Sequence, residues 1–173
     1  MRFRQGVALP PRAYIDTNLF LHTRDVASHR YRSASVCLAE LIRQSVELNV
    51  SSLLFDELWW ALFRVSFRMM QGEELTSLDY KRNQSIWRDN WPRIRQITEE
   101  LLDWPRLLLL DSPTSETLLN DVTSLLDVNP LTPRDAFHLA LALHHDIDSF
   151  VTADTDFDDL VLPAGRSVTV VKF

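Results

Sequence analysis

The chain has 173 residues, 46% of them hydrophobic, a formal charge of −6 and a single cysteine. That length and apolar content suit one globular domain with a real core, and the acidic balance excludes a nucleic-acid binder that works by overall basicity. Nucleic acid itself stays open as a partner, because an acidic cluster that gathers divalent cations becomes locally positive. Cys37, alone and within a helical pattern, excludes an intrachain disulfide or a cysteine-based zinc site and fits a reducing cytosol. The apolar runs are short and interrupted, and MRFRQGVALPPRAYID lacks the apolar stretch of a signal peptide, so the expectation is a cytoplasmic protein without a membrane span.

Arg12 to Ile15 is a short aromatic and β-branched segment after Pro10-Pro11, read as a first strand that ends at Asp16-Thr17-Asn18. Ser28 to Ser45 places Val36, Leu38, Leu41 and Ile42 on one helical face. Val46 to Ser51 reads as a second strand, and Leu53 to about Met70 as a helix capped by Ser51 or Ser52 and ended near Gly72. The stretch from Glu73 to Asp103 has no Gly and is not Ser-rich as a linker would be, and it reads as helical. Within it Thr76-Ser77-Leu78-Asp79 resembles a capping box, and Pro92 should start or kink a helix. The run Leu107 to Leu110 predicts a buried parallel strand. Thr114 to Leu126 predicts an amphipathic helix. Leu131 to Leu160 then gives a helix opened by Thr132 and Pro133, a strand over Asp148 to Thr152, and the acidic loop Ala153-Asp154-Thr155-Asp156. Val168 to Val171 predicts a last strand. Alternating strands and helices imply a mostly parallel sheet covered on both faces.

Four acids gain weight from where these elements put them. Asp16 and Asp154 end separate strands, while Glu57 and Asp135 lie early on separate helices, so all four can converge at the carboxyl edge of one sheet, where open α/β sheets bind ligands. Each also has a plain structural explanation. Asp16 and Asp135 suit helix starts, and Asp154 and Asp156 suit a turn. Glu57 is harder to explain so simply, since its helical neighbours Leu53, Leu54, Trp60 and Ala61 are apolar and a buried unpaired carboxylate is costly. Like charges packed closely need a cation to remain ionised together, and oxygen-only ligands favour Mg²⁺ or Mn²⁺ over zinc.

Other chemistries lack their residues. A calcium loop starting at Asp154 would need Gly and Glu where Asp159 and Gly165 stand. The five histidines show no HExxH spacing, and three glycines cannot build a phosphate cradle. The tryptophans read as core or interface anchors.

Asp16-Thr17-Asn18 after the first strand, Glu57 on a helix, Arg134-Asp135-Ala136 at a helix start and Val151-Thr152-Ala153-Asp154-Thr155-Asp156-Phe157 after a late strand together resemble the PIN-domain nucleases, and within them the VapC-type toxins of prokaryotic toxin–antitoxin pairs. The resemblance spans about Tyr14 to Asp158. It implies a three-layer α/β/α fold with a mostly parallel central sheet, one PIN-like domain over residues 1–173 with a helical excursion at about 64–104, longer than compact family members carry. It further implies a Mg²⁺- or Mn²⁺-dependent endoribonuclease with Asp16, Glu57, Asp135 and Asp154 as catalytic metal ligands and Asp156 as an auxiliary one. Thr17 or Thr152 would supply a supporting hydroxyl, and Arg24, Arg30, Arg32 or Arg134 would grip the RNA backbone. The expected partners are an RNA substrate, a small antitoxin and a second copy in a homodimer. A groove around Trp59, Phe63 and Phe67 is the expected seat for a partner helix.

Four alternatives stand beside this reading. A haloacid-dehalogenase-like phosphatase would need an acid where Asn18 stands and a pocket lysine, and a receiver domain would need that lysine too. Lys81 and Lys172, the only lysines, look badly placed for it. A PIN-domain RNA-processing nuclease without an antitoxin, or a non-catalytic PIN-like scaffold, would carry the same motifs.

Overall fold

A computed structural model describes residue 3, residues 7–72 and residues 84–173. Its compact parts are two: residues 1–52 with 106–173, and residues 53–105.

The first unit holds a five-stranded sheet in the order β3-β2-β1-β4-β5, from β1 (Arg12–Ile15), β2 (Glu47–Val50), β3 (Leu107–Leu109), β4 (Ser149–Thr152) and β5 (Thr169–Lys172). Every pairing is parallel. Parallel neighbours require crossovers, and α1 (Thr17–Arg24) with α2 (Tyr31–Arg43) supplies the one from β1 to β2. Tyr14, Ile15, Leu48, Val50, Phe150 and Val151 have no exposed surface, as interior parallel strands require when both faces are covered. Between β3 and β4 run two helices of the same unit, Ser115–Val128 and Pro133–His144.

The second unit contains α3 (Ser52–Gln71, from its second residue) and α4 (Gln84–Leu102), so the helices after β3 are α5 (Ser115–Val128) and α6 (Pro133–His144). Its core is aromatic. Phe63, Phe67 and Ile94 are buried, with Trp59, Leu62, Trp87 and Trp91 packed against them. Trp59 and Trp91 meet edge to face at 5.4 Å, and the indole N–H of Trp59 donates to Thr98 Oγ1 at 2.8 Å. Pro92 lies inside α4 rather than at a helix start. The Thr76–Asp79 capping-box expectation lies outside the described residues.

Two expectations need correction. The leucine run forms a strand, but β3 is at the sheet's edge, and Leu108 and Leu109 are 46% and 53% exposed. A strand with one neighbour is not enclosed, however apolar its sequence. Phe63 and Phe67 line no open groove, because α4 supplies the aromatic partners that bury them. Among the described residues, no helix is long and apolar enough to cross a membrane.

Candidate active site

The site begins with register. Tyr14 pairs with Phe150 and Ile15 with Val151, and the next backbone bond, Asp16 N–H to the Val151 carbonyl at 3.1 Å, brings Asp16 level with the end of β4. Asp16 is only 9% exposed. A carboxylate so enclosed must be hydrogen-bonded. The Thr152 hydroxyl donates to Asp16 Oδ2 at 2.5 Å, and Asn18 Nδ2 donates to the same oxygen at 2.6 Å. Asn18 also reaches Thr152 Oγ1 and accepts from the Ala153 N–H, while Thr152 Oγ1 accepts from the Asp154 N–H at 3.0 Å. Asn18 and Thr152 thus tie Asp16 to the loop that carries Asp154.

That loop is a single 3₁₀ turn, Thr155–Phe157, capped by Asp154, whose Oδ1 accepts from the Asp156 N–H at 3.0 Å. Its anchor is Phe157, 2% exposed, which stacks on Phe150 at 4.5 Å; Phe150 in turn stacks on Tyr14 at 5.1 Å. Rigid aromatic stacking under the loop fixes the backbone from which Asp154 and Asp156 project.

The third acid comes from α6. Thr132 caps the helix by accepting from the Asp135 N–H, and its hydroxyl donates to Asp135 Oδ2 at 2.5 Å. Pro133 occupies the first turn, where its missing N–H costs nothing. One turn further, His138 Nδ1 meets the Tyr14 hydroxyl at 2.6 Å, and that hydroxyl also meets Ser51 Oγ at 2.7 Å. These buried contacts lock α6 to β1 and to the end of β2.

Carboxylate oxygens of Asp135, Asp154 and Asp156 all lie within 4.8 Å of one another. Burial pushes the Asp135 carboxyl above its ordinary range, and the charge of Asp154 pushes it further; the Thr132 hydrogen bond and His138 pull the other way. Three oxygen donors at that spacing, one of them made reluctant to ionise by burial and then by its neighbour, suit a divalent cation such as Mg²⁺ or Mn²⁺, which takes carboxylate oxygens and relieves their repulsion. The donor set therefore fits the ion that the sequence suggested.

Of the sequence-derived candidates, Asp135, Asp154 and Asp156 come together directly, and Asp16 joins their loop through Thr152 and Asn18. Glu57 sits half-buried on α3 in the second unit. Two residues do more than their sequence positions suggest. Asn18, a motif position given no role of its own, bridges both strand ends, and its place two residues past Asp16 is the signal that marks it. Lys172 looked misplaced because it lies late in the chain. Its register partner is Thr152, so β5 delivers its ammonium to the Asp154 carbonyl, with Asp158 Oδ1 at 3.1 Å.

No curated protein matches the chain. Among solved structures it is similar to VapBC2 from Rickettsia felis, determined with a fragment of promoter DNA, at TM-score 0.55 and 12% identity over 92% of this chain and 98% of that one. A toxin–antitoxin complex from Klebsiella pneumoniae gives 0.52 and 15% over 85% and 91%. The sarcin-ricin loop cleaving toxin VapC20 from Mycobacterium tuberculosis gives 0.53 and 14% over 86% and 96%. Identities so low speak for the fold alone, the three-layer α/β/α arrangement built on a parallel sheet. The PIN domain family matches residues 13–161, which is most of the chain, and the chain belongs to that family.

Proposed function

We propose that the protein is a Mg²⁺- or Mn²⁺-dependent endoribonuclease, the toxin of a toxin–antitoxin pair, working as a single PIN-like domain in the cytoplasm. The observation that carries the nuclease reading is the convergence of Asp135, Asp154 and Asp156 within 4.8 Å beside the buried Asp16. Family membership supports the nuclease class, and the toxin–antitoxin proteins of like fold support an antitoxin partner.

Asp16, Asp135, Asp154 and Asp156 would hold the cation. When bound, it supplies Lewis-acid stabilisation of charge on the scissile phosphate and lowers the pKa of the attacking water. The chain's own contribution is placement. Thr152 and Asn18 aim Asp16, Thr132 aims Asp135, and the Asp154 cap fixes the 3₁₀ turn, so the ligand oxygens need little reorganisation to take the cation. Hydrolysis by water leaves 5′-phosphate and 3′-hydroxyl ends, not a cyclic phosphate.

Asp16→Asn is the first test. RNA cleavage in Mn²⁺ should fall by at least about 100-fold, the upper end of what losing a mere supporting partner costs, while circular dichroism shows the fold intact. Full activity in that variant, or in excess EDTA, would overturn the mechanism. Glu57 belongs to the same proposed set on sequence grounds; Glu57→Gln with unchanged activity removes it. A homodimer is also proposed, and sedimentation reads it directly.

A further inference from the structure

A cavity of about 560 Å³ adjoins the acidic loop without using its carboxylate cluster. His29, Arg30 and Ser33, around the start of α2, line it, together with Lys172 from the end of β5 and Ala153 and Thr155 from the loop itself. In a chain of net charge −6, this hollow gathers two cationic side chains, Arg30 and Lys172, with the His29 imidazole and the Ser33 hydroxyl beside them. The acid among the lining residues, Asp158, is already matched by Lys172 at 3.1 Å. Arg30 is held in place from both ends: its backbone N–H donates to Ser28 Oγ at 3.2 Å, and Nη1 donates to the main-chain oxygen of Phe173 at 3.3 Å. A guanidinium has five N–H donors in a fixed fork, so one such bond leaves the fork able to take an anion.

The cavity's place is as telling as its charge. Ala153 and Thr155 flank Asp154, and Lys172 touches the Asp154 carbonyl while the Asp154 carboxylate belongs to the acid cluster. An anion in the cavity and a phosphate at the acids would therefore sit on two sides of one residue. A strand of RNA offers that pattern, charged phosphates repeating along its backbone. We propose that this cavity is a phosphate-binding subsite, which takes a phosphodiester neighbouring the scissile one through Arg30, His29 and Lys172. It rests on the nuclease reading of the acids and adds how the strand is registered against them. Contacts of this kind hold RNA without reading its sequence, so specificity must come from elsewhere.

The test separates the subsite from catalysis. Full-length protein, labelled with ¹⁵N and kept in EDTA, is titrated with adenosine 3′,5′-bisphosphate. The amides of Ser33, Ala153 and Thr155 should shift and saturate. Arg30→Gln should weaken the dissociation constant by about tenfold or more, as loss of a charge-assisted hydrogen bond does, and Arg30→Lys should restore part of it. Unshifted amides at these positions in the wild-type protein would overturn the subsite. So would an Arg30→Gln variant, folded by its spectrum, that binds as the wild type does. An acidic hexapeptide run in parallel that shifts these amides, where the bisphosphate does not, would assign the cavity to a protein partner and overturn it too. Cleavage of RNA in Mn²⁺ is read separately, so a dead subsite in an active nuclease, and an inactive protein that still binds the bisphosphate, are distinct results.

Discussion

β1 and β4 on one side and β3 on the other are all short apolar segments, yet they meet opposite fates in one sheet. Ile15 and Val151 have no exposed surface, while Leu108 and Leu109 on β3 keep about half of theirs. The inner strands have neighbours on both sides, so whatever follows them is also enclosed, and a polar residue there must find partners. Asp16, Asn18 and Thr152 satisfy one another at that point. β3 ends differently, with the Leu110 N–H donating to the Val50 carbonyl and the Asp111 carbonyl accepting from His145 Nε2. The lesson is that strand burial creates the demand for ordered polar groups, and the site uses those groups to hold its acids.

The difference can be broken most sharply in the packing itself. Leu48 on β2 is fully buried, so Leu48→Ala should cost about 2–5 kcal/mol, from lost transfer energy and the cavity left behind. Chemical denaturation measures this directly. A cost below about 1 kcal/mol would mean that the interior strands are no better enclosed than the edge.

At the strand ends the expected effect is smaller and is read in binding. Thr152→Val keeps the shape but removes the hydroxyl that bridges Asp16 and the Asp154 N–H. Loss of such an orienting partner typically costs about 10–100-fold in metal affinity. Calorimetric titration with Mn²⁺ should show that weakening without a comparable loss of secondary structure. Wild-type affinity in the variant would mean that the acids are positioned by other contacts.

How much of this was legible beforehand follows the same division. Strand ends were readable because an apolar run that stops at an acid has a local signature, as at Ile15-Asp16 and Thr152 to Asp154. The start of α6 was readable for the same reason, since Thr132, Pro133 and Asp135 are all local signals. The position of β3 in the sheet was not, because four leucines look alike at an edge and in a centre, and strand order is a property of the whole chain. Lys172 was invisible for a related reason. Its nearness to Asp154 comes from the β4–β5 register, 20 residues apart in sequence from Thr152 to Lys172. The aromatic core of the second unit hid Phe63 and Phe67 because their partners, Trp87 and Ile94, lie on a separate helix.

A site that crowds carboxylates should also be a place where the metal-free protein loses stability. Burial, then Asp154, raises the Asp135 carboxyl in the folded state above its unfolded value. The sign follows from linkage: such a group favours folding when protonated, and that contribution is lost as pH rises through the raised value. At neutral pH Asp135→Asn should therefore melt slightly higher than the wild type in EDTA. Below pH ~4, where the unfolded carboxyl is protonated too, the gap should close. Saturating Mn²⁺ should reverse the order, since only the intact ligand set gains binding energy. A variant that melts lower in EDTA at pH 7 would show that Asp135 is not under charge stress.

The smallest effect belongs to the sheet's edge. Leu109 is 53% exposed on β3, which pairs on one side only, with β2. Leu109→Lys puts a charge where water already reaches, and exposed substitutions of this kind usually change stability by about 0.5 kcal/mol or less. Lysine on an edge strand also opposes unwanted pairing with another chain. The melting temperature should hardly move, and sedimentation should show the wild-type assembly. A large drop in both would mean that this edge is covered in solution by a second copy, so that β3 is enclosed after all, through assembly rather than through folding.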